Sequence, residues 1–173
     1  MPFGHLTETM AQTIRTYVEG KRVWDLGSGD FHYARELLLL GADSVLAIDK
    51  EWRGRPPEGV TFRQDYFFDI TPEPIEVAFI SWPANYNLTG LIEILEQAQT
   101  VIYLGCNLDG SACGWKGLFE HLTGRELLAH VPHRRNTLLV CGRTLDVPRE
   151  PTGEERGGLT TEGLTFDGVY LTS

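Results

Sequence analysis

One stretch constrains this chain more than any other: Val23-Trp24-Asp25-Leu26-Gly27-Ser28-Gly29-Asp30. Its apolar first half reads as the end of a buried strand. Two glycines follow, and the periodic apolar run from 33 to 40 reads as the next helix. A glycine turn between strand and helix lets backbone N–H groups and a helix N-terminus come close to a polar ligand. Here a carboxylate, Asp25, stands two residues before the first glycine. Such a charge repels a pyrophosphate and attracts a cation. The expected ligand is therefore positively charged.

A second carboxylate follows at the right distance. The short apolar run 44–48 closes at Asp49, roughly 20 residues beyond the turn, where an acidic side chain can accept hydrogen bonds from ribose hydroxyls. Residues 60–63 are β-branched and aromatic and predict a third strand, closed by Gln64-Asp65-Tyr66. A fourth strand over 75–80 is apolar except at Glu76. Such unbroken runs belong to parallel sheets covered on both faces. Ligands bind such sheets outside the carboxyl ends of the strands, where the strand order reverses. The loop Ser81-Trp82-Pro83-Ala84-Asn85-Tyr86-Asn87 leaves strand four at that place.

The remaining pattern alternates helix and strand. Leu6, Met10, Ile14, Tyr17 and Val18 mark a leading helix that stops at Gly20, with His5 and Thr7 at its head. Leu88, Leu91, Ile92 and Leu95 form another helical stripe, 100–104 a fifth strand, and Trp115, Leu118, Phe119 and Leu122 a further helix. Between them, Cys106 has no partner base by spacing, and Asn107 and Asp109 read as turn residues. Residues 125–131 and 136–141 predict two strands joined by Pro132-His133-Arg134-Arg135. His130, His133, Arg134 and Arg135 form the one basic cluster, read as a solvated hairpin tip. From about 144 onward Pro, Gly and Glu dominate, which suggests an extended arm or an added edge strand.

Asp25, Gly27 and Gly29 match Asp/Glu-x-Gly-x-Gly, and the chain resembles the class I (Rossmann-like) methyltransferases that carry this first motif. The resemblance implies S-adenosylmethionine as cofactor, whose ammonium and sulfonium supply the expected positive charge. A third glycine, frequent in that family, is replaced by Phe31. Carried over residue by residue, Asp25, Gly27, Ser28 and Gly29 would hold the methionine end and Asp49 the ribose. Asp65, with the flanking backbone N–H, would take the adenine, and Ser81 would border the cofactor. The loop after strand four also resembles the Asp/Asn/Ser-Pro-Pro-aromatic motif of methyltransferases acting on amino groups. Ser81 and Pro83 match, while Trp82 and Ala84 depart from it. Ser81, Trp82, Asn85 and Tyr86 would then line the acceptor side. The implied fold is α/β: a doubly wound, mostly parallel seven-stranded sheet with a C-terminal antiparallel hairpin and helices on both faces. It would occupy residues 1–143, with the leading helix in 1–20 and the arm in 144–173.

Length and charge narrow the function further. A chain of 173 residues suits one domain, able to bury about 70% of its unfolded surface. No apolar run reaches the roughly 18 residues of a membrane span, and no signal pattern opens the sequence, so a cytoplasmic protein with no membrane partner is expected. Three cysteines without CxxC spacing read as reduced thiols. The five histidines show no metal-binding spacing backed by carboxylates, and no metal is expected. A formal net charge of −9 opposes phosphate-driven binding. A small-molecule substrate is favoured, with nucleic acid and protein acceptors left open. The alternatives are a non-catalytic domain that keeps the cofactor pocket to bind or regulate a partner, and a nicotinamide-dependent oxidoreductase. Asp25, the missing third glycine and the terminal hairpin all count against the latter.

Overall fold

Alternation along the first strand decides how the layers form. Side chains of a strand point alternately to opposite faces. In β1 (Arg22–Leu26), Val23 therefore falls on one side and Trp24 and Leu26 on the other. The computed structural model describes residues 6–106, 113–134 and 136–144. Its elements run α1 (Glu8–Val18), β1, α2 (His32–Leu39), β2 (Ser44–Asp49), β3 (Val60–Gln64), a 3₁₀ turn (Phe67–Asp69), β4 (Ile75–Ser81), α3 (Leu91–Glu96), β5 (Ala98–Cys106), α4 (Lys116–Thr123), β6 (Arg125–His133) and β7 (Asn136–Thr144). The seven strands form one sheet in the order β3-β2-β1-β4-β5-β7-β6. All neighbouring pairs are parallel except β5–β7 and β6–β7, which are antiparallel.

Two apolar cores flank the sheet. On one face Met10, Ile14 and Val18 of α1 and Ala34 and Leu37 of α2 pack on Val23, Val45, Ala47, Phe79, Ile102, Leu104, Leu138 and Val140. On the other, Leu91, Ile94 and Leu95 of α3 and Leu118, Phe119 and Leu122 of α4 meet Trp24, Leu26, Ile48, Ala78, Ile80, Val101, Tyr103 and Leu139. The expected fold is present in every layer. Thr7 caps α1, its hydroxyl accepting from the Met10 N–H at 3.2 Å. His5, Asn107, Asp109 and the proposed arm lie outside the described residues.

The hairpin differs from its sequence reading. β6 continues through Pro132 and His133, with Pro132 opposite Thr137 and His133 opposite Asn136. A proline breaks a strand only where its missing N–H would have bonded a neighbour. Among the described residues β6 is the outer strand of the sheet, so Pro132 is accommodated and the pairing runs on to His133 opposite Asn136.

Arg125, which opens β6, is 1% exposed. Its guanidinium donates to the carbonyls of Leu95 (3.0 Å), Ala98 and Gly142, tying α3, β5 and β7 together. The Leu95 carbonyl belongs to the last turn of α3, where the i+4 donors of the helix have run out. His121 of α4 lies 3.4 Å from the same guanidinium. Burial, and then this positive neighbour, push the imidazole down to about 4. Replacing Arg125 by Met would strand three buried carbonyls and should lower the unfolding free energy by about 3–5 kcal/mol in urea titrations. The His121 ring should then titrate nearer its usual range by NMR.

Candidate functional site

The strand order reverses between β1 and β4, and the cleft opens above that junction. It holds about 500 Å³ and is lined by Leu26 and Gly27 after β1, Asp49 to Glu51 after β2, Asp65 to Phe68 after β3, and Ile80 to Ala84 after β4. Tyr86 to Thr89 close its far side. Gly27, Asp49, Asp65, Ser81, Trp82 and Tyr86 are thus brought to one wall-lined space. Asp25, Ser28 and Gly29 do not line it, and Asn85 gives way to Asn87 in the wall.

Asp25 is the anomaly of the molecule. Its position in β1 puts it between Ala47 and Phe79 in register, in the place of a core residue. It is 0% exposed, and neither carboxylate oxygen meets a hydrogen-bond donor among the described residues. The Ser28 hydroxyl is likewise buried and without a hydrogen-bond partner among the described residues. Burial, reinforced by the nearby Asp49 charge, pushes the Asp25 carboxyl up to about 7. The turn that follows Asp25 carries Gly27 and Gly29, both with positive φ (80° and 56°), where an added Cβ would touch nothing within 4 Å. The turn is bare backbone with open space in front of it.

Asp49 pins that turn. One of its oxygens accepts from the Gly29 N–H at 2.9 Å and the other from the Glu51 N–H at 2.9 Å. The N–H groups of Gly27 and Ser28 meanwhile donate to the Ile48 carbonyl at 2.8 and 3.1 Å. Each Asp49 oxygen retains a lone pair that can accept from a hydroxyl. Asp65 pairs with Arg63 (2.7 Å) and accepts from the Tyr66 N–H at 3.1 Å, while its own N–H donates to the Asp49 carbonyl. Arg63 was invisible as a site residue in the sequence, because only the pleat of β3 sets it beside Asp65.

Phe31 explains the missing third glycine. It caps α2 in the left-handed region, φ 64°, a conformation that glycine adopts freely and a bulky side chain resists. Its ring is 2% exposed and meets Phe62 edge-on at 5.2 Å, and Phe62 in turn meets Trp52 at 5.0 Å. Burial offsets the backbone strain. Trp82 is also left-handed, φ 49°. Its backbone N–H donates to Leu104 and its indole N–H to the Tyr33 hydroxyl at 3.2 Å, so the loop after β4 is held to β5 and α2. Trp82 thus lines the cleft with its indole N–H anchored on Tyr33.

The aromatic run Tyr66-Phe67-Phe68 was not singled out in the sequence. Three consecutive aromatics after a strand are more than one 3₁₀ turn can bury, and Tyr66 and Phe68 remain 52% and 59% exposed at the cleft. Cys106 at the end of β5 does not line the cleft; its backbone N–H donates to the Cys113 sulfur. Among the described residues no three His, Cys, Asp or Glu side chains gather as a metal site, and no helix is long and apolar enough to cross a membrane.

Solved structures match this arrangement along most of its length. The ribosomal protein L11 methylase of Lactobacillus delbrueckii subsp. bulgaricus aligns with TM-score 0.56 and 17% identity over 83% of this chain and 81% of its own. An S-adenosylmethionine-dependent methyltransferase from Mesorhizobium loti gives 0.56 and 13% over 76% and 96%. A protein of the NADB-Rossmann superfamily from Streptococcus agalactiae gives 0.56 and 19% over 84% and 72%. The fold is that of the class I methyltransferases. At these identities the likeness is one of fold. No family profile matches the chain, and no curated protein matches it by sequence.

Asp25 makes the molecule pH-sensitive. Unfolded, its carboxyl ionises near 3.8, whereas folded it ionises near 7, so folding takes up a proton between those values and stability falls as pH rises through that window. Asp25→Asn removes the ionisation. The ligand-free variant should exceed the wild type in unfolding free energy at pH 8 by about 1–4 kcal/mol, with a flatter profile from pH 4 to 7 in urea titrations.

Proposed function

We propose that the chain is an S-adenosylmethionine-dependent methyltransferase acting on a small molecule or an amino group. The observation that carries this reading is Asp25: a buried carboxylate without a donor, set behind a bare glycine turn at the switch point of a class I methyltransferase sheet. A buried, unpaired carboxylate is costly, and a cation in the cleft relieves that cost. The residues present fit the cofactor. Gly27 to Gly29 would take its methionine end, with Asp25 acting through the turn as a field rather than by contact. Asp49 would accept from the ribose hydroxyls, and Asp65 with the Tyr66 N–H would meet the adenine. When bound, the cofactor supplies an electrophilic methyl group to a lone pair of the acceptor.

The chain's own part is alignment and exclusion of water. An in-line transfer between held partners gains most from orientation, and amine acceptors require no strong base. Ser81, whose backbone ends β4 at the cleft wall, offers a hydroxyl to the acceptor. The Trp82 hydrogen bond to Tyr33 and the Pro83 carbonyl accepting from Gly114 fix the loop behind it. The fold of the methylase and methyltransferase neighbours supports the same reading.

Calorimetry with S-adenosylmethionine, S-adenosylhomocysteine and NAD tests it. Heat should appear for the first two, and NAD binding more tightly than either would overturn it. Asp49→Ala should weaken S-adenosylhomocysteine binding by about 1–3 kcal/mol, because buried hydroxyls lose a charged acceptor. A cation favours ionised Asp25, so binding releases a proton below its pKa. Affinity should therefore rise with pH from about 5.5 to 7, by at most tenfold per unit, and Asp25→Asn should lose that slope.

A further inference from the structure

The fold brings two of the three cysteines together. Cys106 ends β5, and its backbone N–H donates to the Cys113 sulfur at 2.8 Å. That bond keeps the two α-carbons less than about 7 Å apart, within the span of a disulfide. The Cys113 sulfur also lies 3.4 Å from the Tyr103 hydroxyl, which itself donates to the Cys106 carbonyl at 3.0 Å. Gly105 leaves the room for this packing. A Cβ there would lie 2.5 Å from the Tyr103 oxygen and 2.9 Å from the Cys113 sulfur.

Both members of the pair are anchored through the same loop. The Trp82 N–H donates at 2.8 Å to the carbonyl of Leu104, two residues before Cys106. The N–H of Gly114, next to Cys113, donates at 2.9 Å to the Pro83 carbonyl. Exposure then divides the roles. Cys106 is half-buried, while Cys113 is 4% and Cys141 1% exposed. Oxidation by a dissolved reagent follows access to the sulfur, so the reagent meets Cys106 and only Cys106 meets Cys113. Cys141 stands apart. It pairs with Val101, roughly 16 Å back along β5 from Cys106, and burial pushes its thiol up to about 11.

We propose that Cys106 and Cys113 are a redox modification site, a thiol pair that hydrogen peroxide converts to an intramolecular disulfide. This assignment is independent of the methyltransferase reading. The Cys106 thiol first gives its proton to water. Its sulfur then attacks one peroxide oxygen, the O–O bond breaks, and the departing hydroxide takes up a proton. Cys106 is now a sulfenic acid. The Cys113 sulfur attacks the Cys106 sulfur, the S–O bond breaks, and the hydroxyl leaves as water with the Cys113 proton. The two thiols give up two electrons, and one peroxide becomes two waters. A thiol so close captures the sulfenic acid before further oxidation.

The test treats the full chain, reduced and then freed of reductant, with a few equivalents of hydrogen peroxide at neutral pH. Two of the three thiols should disappear, and the intact mass should fall by about 2 Da. Cleavage before Asp109, which separates the two cysteines in sequence, should give fragments that stay joined until dithiothreitol parts them. Cys113→Ser should stop at the sulfenic acid, which dimedone traps on Cys106. Cys106→Ser should slow the loss of the Cys113 thiol by about tenfold or more. Circular dichroism checks that the variants fold, and fragment mapping of the wild-type chain depends on neither. Loss of the Cys141 thiol at the same rate, or a disulfide between two chains, overturns the assignment. So does oxidation of Cys106 to the sulfinic acid with Cys113 still a thiol, and so does survival of all three thiols in a large excess of peroxide.

Discussion

A carboxylate kept out of water without a partner is the interaction around which this structure is arranged. Asp25 occupies a core position of the central strand, flanked in register by Ala47 and Phe79, where an aliphatic residue would pack without electrostatic cost. Its burial raises its pKa to about 7. That leaves a group poised between neutral and charged at ordinary pH, in the strand that runs straight into the glycine turn. The glycine turn is then more than a loop that happens to be tight. It keeps bare backbone at the end of the strand that carries Asp25, and any side chain there would strain a positive φ.

The surrounding hydrogen bonds keep this turn in place. Asp49 accepts from Gly29, Asp65 donates through its N–H to the Asp49 carbonyl, and Arg63 ties down the Asp65 side chain. Three strand ends are thereby linked across the cleft floor in a chain of charge-assisted and backbone bonds. Two non-glycine residues near this turn are left-handed: Trp82, which lines the cleft, and Phe31, buried just after the glycine turn. Strain of this kind persists only where packing over-determines it, and such residues gather at functional sites. Here the packing is visible: Phe31 against Phe62, and Trp82 against Tyr33 and Leu104.

Stability is managed at the opposite side of the sheet. Arg125 bonds three carbonyls from three different elements, so the hairpin that completes the sheet is tied to α3 and β5 from within. A guanidinium suits this task because its donors spread in a rigid plane and it stays charged when buried. The cleft end of the molecule carries the unsatisfied carboxylate, while the hairpin end carries a bonded, buried cation.

The sequence by itself determined the layering and the cleft. Period-two alternation in the strands, helical spacing between them and the Asp25–Gly29 turn are local signals, and each is read within a few neighbouring residues. Asp49 and Ser81 were legible for the same reason, since both close apolar runs. What only the tertiary structure decided is everything that depends on residues far apart in the chain. Arg125 reads as an ordinary polar residue until Leu95, Ala98 and Gly142 converge on it. Pro132 reads as a strand breaker until β6 proves to be an edge. Tyr66 and Phe68 carry no local signal of their exposure at the cleft, and Asp25 reads as a ligand contact until the pleat of β1 turns it inward. Periodicity records which face a side chain takes, but burial and partners are properties of the assembled sheet.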